Sequence, residues 1–436
     1  MASNDRARTG LAGLALASLL FAGAALARER PQPPQIVQAG AVEPVTIQIG
    51  AGLAPKPAFE MPPVAIDGFP GLFFASTGWS WLCSAGGTTK ELVLDKRHCG
   101  LFTTPARIDQ ASGRNRPPEE AVTAATDWTR SYQGVFSAFK LAKPSPDHDF
   151  LALSHGENKN ERLGSQLYAN TVDRSLTPQA CASGYKDGAY TDCWQAYNGF
   201  VSLLLGSTKA WQGDAAATTR DLGPILWPAA GYLQGGKKAS GGVRHPTAIH
   251  DRGFVYIFYL DSSQGSAADR KSGLRLARMP EPDGAATRAP QSLAWFNGAF
   301  SPDNPSLPAG FDKTRIAAFY DKPGGRSSEL WPDSWQTGHF AVARIRGRKE
   351  FLGVEEYIAG KNWGVRLRVS PDLMHWSEPV TLPGATSDQG WASGTLHYPA
   401  FSDLVGQRSQ EIDPAGFYIV GAGTGGQLTR RKIAIR

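Results

Sequence analysis

Cysteine, long apolar runs and helical periodicity are all scarce in this chain of 436 residues. The 4 cysteines show no CxxC spacing and no HxxxH pair accompanies them, so a structural zinc site is disfavoured. The motifs GxSxG and HExxH are absent, which argues against the serine hydrolases and zinc proteases that carry them. The one long apolar run is shorter than the roughly 20 residues that a membrane-spanning helix needs.

That apolar run, residues 11–25, has the features of a secretory signal peptide. Two arginines precede it and small residues end it, so we expect residues 1–27 to be removed by cleavage after Ala27. The protein is then secreted or periplasmic, without membrane insertion after cleavage. Residues 28–44 are rich in Pro, Gln and Arg and predict a disordered linker. Residues 45–436 are predicted to form a single domain.

An even number of cysteines in an exported chain favours disulfides over free thiols. Three connectivities are possible for four cysteines. We favour the pairing of sequence neighbours, Cys83 with Cys99 and Cys181 with Cys193, because each bond would then close a loop between strands.

The composition favours a turn-rich β protein, with 49 Gly, 31 Pro and 12 Trp. The formal net charge of +6 is scattered, which disfavours a nucleic-acid partner. The glycine-rich stretch at residues 421–426 has too little chain after it for a dinucleotide-binding unit. No cofactor and no metal are expected, and we expect a monomer.

Two segments repeat along the chain. RHPTAIHDRGFVYIFYLD, residues 244–261, predicts a strand, a tight turn and an aromatic strand, and HYPAFSD with GFYIVGAG, residues 397–423, repeats this order. GVRLRVSPDLMHWSEPVTL, residues 364–382, predicts a third strand, a tryptophan turn and an outer strand. Together these four strands are typical of a propeller blade.

Residues 370–379, SPDLMHWSEP, resemble the S-x-D-L-x-x-W-x-x-P turn of the five-bladed β-propeller glycosidases, the arabinanase, xylosidase and fructosidase group. The segments HGEN and HPTAIHDRGFVYIFYLD are similar to the blade-opening strands of that group. The resemblance implies a divergent member with an all-β fold, a five-bladed β-propeller with long inter-strand loops. It also implies an exported glycoside hydrolase that acts on a polysaccharide or oligosaccharide.

In a propeller the first strands of all blades meet at a central funnel, so residues far apart in sequence become neighbours. The candidate substrate-binding residues are His155, Arg244, His245 and His397. His245 and His397 are predicted to occupy equivalent places in two blades, because each begins a short histidine–proline segment.

Glycoside hydrolysis needs one carboxylic acid and one carboxylate. Glu157 is the candidate acid, since it follows a buried strand, and Asp67 or Asp149 is the candidate partner. The resembling group carries an Arg-Asp-Pro-like motif where this chain has His245, and an imidazole is neutral or positive where an aspartate is negative. Three explanations stay open: a differently tuned acid, an anionic substrate, or a non-catalytic propeller that binds a carbohydrate or a surface partner.

Overall fold

The structure is a computed structural model that describes parts of the N-terminal region and most of the chain after residue 131. The described residues are 30–49, 64–65, 71–76, 79–84, 86–88, 91–94, 99–103, 132–159, 185–186, 189–190, 197–208, 219–229, 241–263, 273–313, 319, 322–388, 395–401, 410–423 and 427–436. This part of the chain is nearly all β. It contains no helix with the length and apolar character needed to cross a membrane.

The N-terminal strands form two small sheets and contribute one strand to the last sheet. They are β1 (Ile36–Pro44), β2 (Thr46–Ile49), β3 (Val64–Ala65), β4 (Gly71–Ser76), β5 (Trp79–Ser84), β6 (Gly86–Thr88), β7 (Glu91–Leu94) and β8 (Cys99–Thr103). Strands β3, β4, β5 and β8 form one antiparallel sheet, and β2, β7 and β6 form another. Cys83 lies directly opposite Cys99 across β5 and β8. Their disulfide stays a prediction, and Cys181 and Cys193 lie outside the described residues.

We number the sheets from the β3-β4-β5-β8 sheet as the first. The second sheet has the order β9-β10-β13-β14, and these four strands pair antiparallel. Its strands, with a short hairpin inserted between them, are β9 (Tyr132–Lys140), β10 (Phe150–Lys159), β11 (Tyr185–Lys186), β12 (Ala189–Tyr190), β13 (Tyr197–Gly206) and β14 (Arg220–Leu226). The described side chains of β10 (residues 150–156) and β13 (residues 199–206) are all buried, and the buried set includes Ser154, His155 and Ser202 beside the apolar residues.

The third sheet contains the predicted hairpin. Its strands, in spatial order, are β15 (Gly241–Asp251), β16 (Phe254–Asp261), β17 (Gly273–Pro280), β18 (Leu293–Phe296) and β19 (Ala299–Pro305). A short parallel pairing of β15 with β13 makes the second and third sheets continuous. Arg252 and Gly253 join β15 to β16 with φ angles of 50° and 80°. Two successive positive φ angles are typical of the type I′ turn that favours tight hairpins. The strand–turn–strand prediction for this segment is confirmed.

A 3-10 helix, Ser334–Gln336, leads into the fourth sheet, and the fifth sheet follows it. The remaining strands are β20 (Thr337–Ile345), β21 (Phe351–Ala359), β22 (Asn362–Ser370), β23 (Val380–Ser387), β24 (His397–Phe401), β25 (Glu411–Ile412), β26 (Phe417–Ala422) and β27 (Leu428–Ile435). The fourth sheet has the order β23-β22-β21-β20-β25. The predicted tryptophan turn lies between β22 and β23. There the indole nitrogen of Trp376 donates to the carbonyl of Leu373 at 2.9 Å, and Asp372 accepts from the backbone of Met374 and His375.

The fifth sheet is completed by the N-terminus, in the order β1-β27-β26-β24. The prediction that residues 28–44 form a disordered linker is therefore wrong for β1, which pairs along β27. Ile36, Ala39 and Val42 pack against the buried side chains of this sheet. A polar segment is ordered here because the edge of β27 offers partners for its backbone groups.

The sheets stack face to face. In β16, Val255, Ile257 and Tyr259 pack against the second sheet, and the alternate residues Phe258 and Leu260 pack against the fourth. The other face of the fourth sheet packs against the fifth sheet. Both faces of a blade are thus buried, which explains why β16 is an unbroken apolar run. The chain is an all-β propeller, and its blade number of five stays a prediction.

Candidate functional site

The first strands of four neighbouring sheets each carry a β-bulge. The extra residues are Phe136 in β9, His245 and Pro246 in β15, Gly338 in β20, and Tyr398 and Pro399 in β24. A bulge interrupts the pairing, bends the strand and changes the direction of its side chain. The four bulges bring side chains from distant parts of the sequence to one place.

The rings of five residues meet there, and we call Phe136, His155, His245, His339 and Tyr398 the histidine cluster. His245 lies at its centre. Ring centroids are 5.3 Å from His245 to Phe136 and to Tyr398, 5.9 Å to His155 and 6.0 Å to His339. The predicted meeting of distant segments is therefore observed for the rings of His155 and His245.

The backbone is strained at two residues of the histidine cluster. His245 and Tyr398 both have a φ angle of 50°, and both precede a proline. A non-glycine residue rarely adopts positive φ, and a following proline restricts it further. Such residues cost about 1–3 kcal/mol each and are concentrated at functional sites.

The bulges correct the predicted equivalence of His245 and His397. Arg244 and His397 both pair immediately before a bulge, with Leu260 and with Ala422. Arg244 is thus the counterpart of His397, and His245 is the counterpart of Tyr398. The prolines at 246 and 399, not the histidines, mark equivalent places in the two segments.

The central imidazoles are neutral at neutral pH. Burial lowers the pKa of His245 well below its ordinary value, and the nearby charge of Arg244 lowers it further. Burial also lowers the pKa of His339 to about 4, although the carboxylate of Glu356 acts in the opposite direction. His245 Nδ1 lies 3.0 Å from the carbonyl oxygen of Gly338, and only the ring nitrogen can donate in this pair.

A buried glutamate–histidine pair lies beside the histidine cluster. Glu356 is 1% exposed, and its Oε1 atom accepts from Nδ1 of His397 at 2.8 Å and from the indole nitrogen of Trp363 at 2.7 Å. The backbone N–H of Tyr398 donates to the second oxygen at 3.3 Å. The carboxylate therefore holds both the imidazole and the strained turn that follows it.

Glu356 is not among the residues predicted from the sequence, although a signal for it is present. Glu355 and Glu356 are adjacent in a strand of otherwise apolar residues, and alternation places them on opposite faces. When both faces of a blade are buried, each carboxylate needs its own polar partners. Glu355 accepts hydrogen bonds from Arg366 at 2.7 Å, Arg368 at 3.0 Å and the hydroxyl of Thr337 at 2.7 Å.

The other predicted residues fall in different places. Glu157 lies in β10 opposite Gly199, two residues after His155. Asp149 lies before the start of β10, where it accepts from the backbone N–H and the hydroxyl of Thr208 at 2.9 and 2.5 Å. Six residues of extended chain span about 20 Å, so Asp149 lies far from His155. Asp67 lies outside the described residues, and Arg244 is partly buried next to His245.

No group of three or more His, Cys, Asp or Glu side chains within the described ranges is arranged to hold a metal ion. Known protein-family profiles do not match the chain. No curated protein is similar enough in sequence to be matched.

Three solved structures to which the chain is similar are glycosidases. The catalytic domain of a GH62 alpha-L-arabinofuranosidase from Coprinopsis cinerea is 11% identical, with a TM-score of 0.41 over 91% of this chain and 97% of that one. A family 117 glycoside hydrolase from Zobellia galactanivorans is 7% identical, with a TM-score of 0.42 over 93% and 92%. A GH32 beta-fructofuranosidase from Bombyx mori is 10% identical, with a TM-score of 0.37 over 91% and 61%.

Proposed function

We propose that the protein is an exported glycoside hydrolase that acts on a polysaccharide or oligosaccharide at the histidine cluster. The observation that supports this function is the convergence of four bulged strands on one site, where strained and buried polar residues gather beside an aromatic ring. A hydrophobic core alone does not need buried imidazoles and a buried carboxylate, because each must be compensated by hydrogen bonds.

Glu157 is the proposed acid. Residues two apart in a strand lie on the same face, so Glu157 is expected on the face of His155, whose ring belongs to the histidine cluster. Asp149 is an unsuitable partner, since eight residues of strand separate it from Glu157 by about 26 Å, whereas glycosidase carboxyl groups lie about 5–9.5 Å apart. Asp67 stays a proposed partner.

A screen of the purified protein against arabinans, fructans, xylans and acidic glycans tests this function. We expect release of reducing sugar from one of them, and a loss of about 100- to 10,000-fold in kcat for Glu157→Gln, the usual contribution of a general acid. Turnover of none of these glycans would contradict the proposal.

The second candidate is a non-catalytic propeller that binds a carbohydrate or a surface partner. The specific observation in its favour is His245, a neutral imidazole at the place where the resembling glycosidases carry an aspartate. This candidate predicts binding on a glycan array without any product.

Signal-peptide cleavage is tested separately, by mass spectrometry of the exported protein, with Arg28 expected as its first residue.

A further inference from the structure

We propose that Trp335 forms a second sugar-binding subsite, where its ring stacks on a neutral sugar unit next to the unit held at the histidine cluster. This inference deepens the proposed function and rests on it for the position of the glycan. It makes the protein a binder of oligosaccharide chains rather than of single sugar units. The support comes from the exposure of Trp335, its position in the chain and the charge of the turn that carries it.

The exposure of Trp335 distinguishes it from other tryptophans of the protein. Trp331, Trp363 and Trp376 are at most 7% exposed and belong to the cores of the blades, whereas Trp335 is 38% exposed. Within the described ranges only one other large apolar side chain, that of Val37, is exposed. Tryptophan presents a large apolar surface, and an exposed one is typical of binding surfaces.

The chain places Trp335 beside the histidine cluster. Trp335 lies in the 3-10 helix that leads into β20, and Gly338, three residues later, is the bulge residue of that strand. The carbonyl oxygen of Gly338 lies 3.0 Å from Nδ1 of His245. Three residues of chain span at most about 11 Å, so the backbone of Trp335 lies at the same end of β20 as the cluster.

The groups between Trp335 and the histidine cluster reach solvent. Gln336 and Gly338 are partly exposed, and so are His245 and Tyr398 in the cluster itself. These groups give a chain-like ligand a path along the start of β20, from the indole to the cluster. A single sugar unit at the cluster would leave the indole uncovered.

The 3-10 helix is held at both ends by a buried ion network. Asp333, before its first residue, accepts from Arg366 at 3.1 Å and from Arg368 at 3.5 Å, and both arginines also bind the buried Glu355. Glu355 accepts in turn from the hydroxyl of Thr337, the first residue of β20. A ring on a turn that is already fixed loses little conformational entropy when it binds a ligand.

The same network sets the charge of the subsite. The two carboxylates and the two guanidinium groups balance, so charge gives no preference for an acidic sugar. The side chain of Asp333 is 43% exposed. A carboxylate has about four lone-pair sites, so Asp333 can accept from sugar hydroxyls as well as from its arginines. An aromatic face beside a hydroxyl acceptor fits a neutral sugar ring.

The test measures binding and turnover with neutral arabino-, fructo- and xylo-oligosaccharides of increasing length. KM is measured where the wild-type protein cleaves the chain, and Kd where it only binds. Trp335→Ala should weaken the binding of long chains by about 2- to 10-fold, the usual range for contacts between aromatic rings, and should leave the binding of the shortest ones unchanged. We expect kcat to stay the same, because the indole does not contact the bond that breaks.

Two further variants serve as controls. Trp335→Phe keeps an aromatic face and should retain most of the affinity for long chains. Val37→Ala is the matched control, because Val37 is 49% exposed and lies in the outer strand β1 of the fifth sheet. It should bind chains of every length as the wild-type protein does. Urea unfolding shows whether each variant is folded.

The readouts separate this inference from the proposed function. A chain-length effect that is lost in Trp335→Ala, but not in Trp335→Phe or Val37→Ala, supports the subsite, and if it occurs without turnover it contradicts only the hydrolase function. Turnover with the same KM in Trp335→Ala for every length overturns the subsite and leaves the hydrolase function intact. If Trp335→Ala does not fold, equal affinity of the wild-type protein for short and long chains still overturns it. Binding of none of these chains also overturns the subsite, whether or not another glycan is cleaved.

Discussion

Replacing His339 tests the burial of the histidine cluster. The folded pKa of this imidazole is about 4 against an ordinary value of 6.5, and burial is the main cause. Between these two values the unfolded chain binds a proton that the folded chain does not. Protonation of His339 therefore leaves the free energy of unfolding unchanged above pH 6.5 and lowers it as the pH falls from 6.5 towards 4.

The magnitude follows from the difference in pKa. One pKa unit corresponds to about 1.4 kcal/mol, so His339 alone should account for a loss of about 2.5 kcal/mol in the free energy of unfolding between pH 7.5 and 4.5. We expect His339→Gln to show a correspondingly smaller loss over the same interval. The absolute stability of the variant at pH 7.5 does not enter the comparison.

Urea unfolding of the wild-type protein and of His339→Gln at pH 7.5, 6.5, 5.5 and 4.5 measures the difference between their losses of unfolding free energy. Binding of one proton changes this free energy by about 1.4 kcal/mol per pH unit. Titration of the wild-type imidazole signals by NMR is an independent check, since the signal of His339 should not change above about pH 5. An equal pH dependence in the two proteins, or an ordinary titration of His339 near pH 6.5, would refute the argument from burial.

Three further predictions concern the fold. Phe258→Ala removes a fully buried ring between two blades and should destabilise the protein by about 3–5 kcal/mol in urea unfolding. Burial of the ring alone is expected to contribute about 1.5–3 kcal/mol, so a loss below about 1 kcal/mol would contradict the packing. Glu355→Gln leaves Arg366 and Arg368 without their buried carboxylate and should cost about 3–5 kcal/mol, whereas Glu411→Gln in an exposed pair should cost less than about 1 kcal/mol. Deletion of residues 28–44 removes β1 and should increase hydrogen exchange of the β27 amides; unchanged exchange would mean that β1 does not close the sheet.

Much of the local structure could be predicted from the sequence. The hairpin of β15 and β16 depends on the turn Arg252-Gly253 and on the apolar run that follows it, and the turn around Trp376 depends on hydrogen bonds within six residues. Such features are visible because the partners are close in the chain.

Features that depend on partners far along the chain could not be predicted in this way. The low apolar content of residues 28–44 indicated disorder, yet β1 is ordered by β27 at the other end of the sequence. Both segments contain a histidine and a proline, and only the bulges show that the prolines, not the histidines, mark equivalent places. Glu356 could be suspected from its apolar surroundings, but its contact with His397 across two sheets could not.

The sequence by itself determined the repeated strand pattern, the tryptophan turn and the presence of histidines at the starts of the hairpins, because these follow from local propensity and spacing. Only the tertiary structure decided which imidazoles are in contact and which nitrogen of His397 faces a carboxylate. It also decided that β1 pairs with β27. The physical reason is that burial and hydrogen bonding between blades depend on the three-dimensional positions of residues that are hundreds of positions apart.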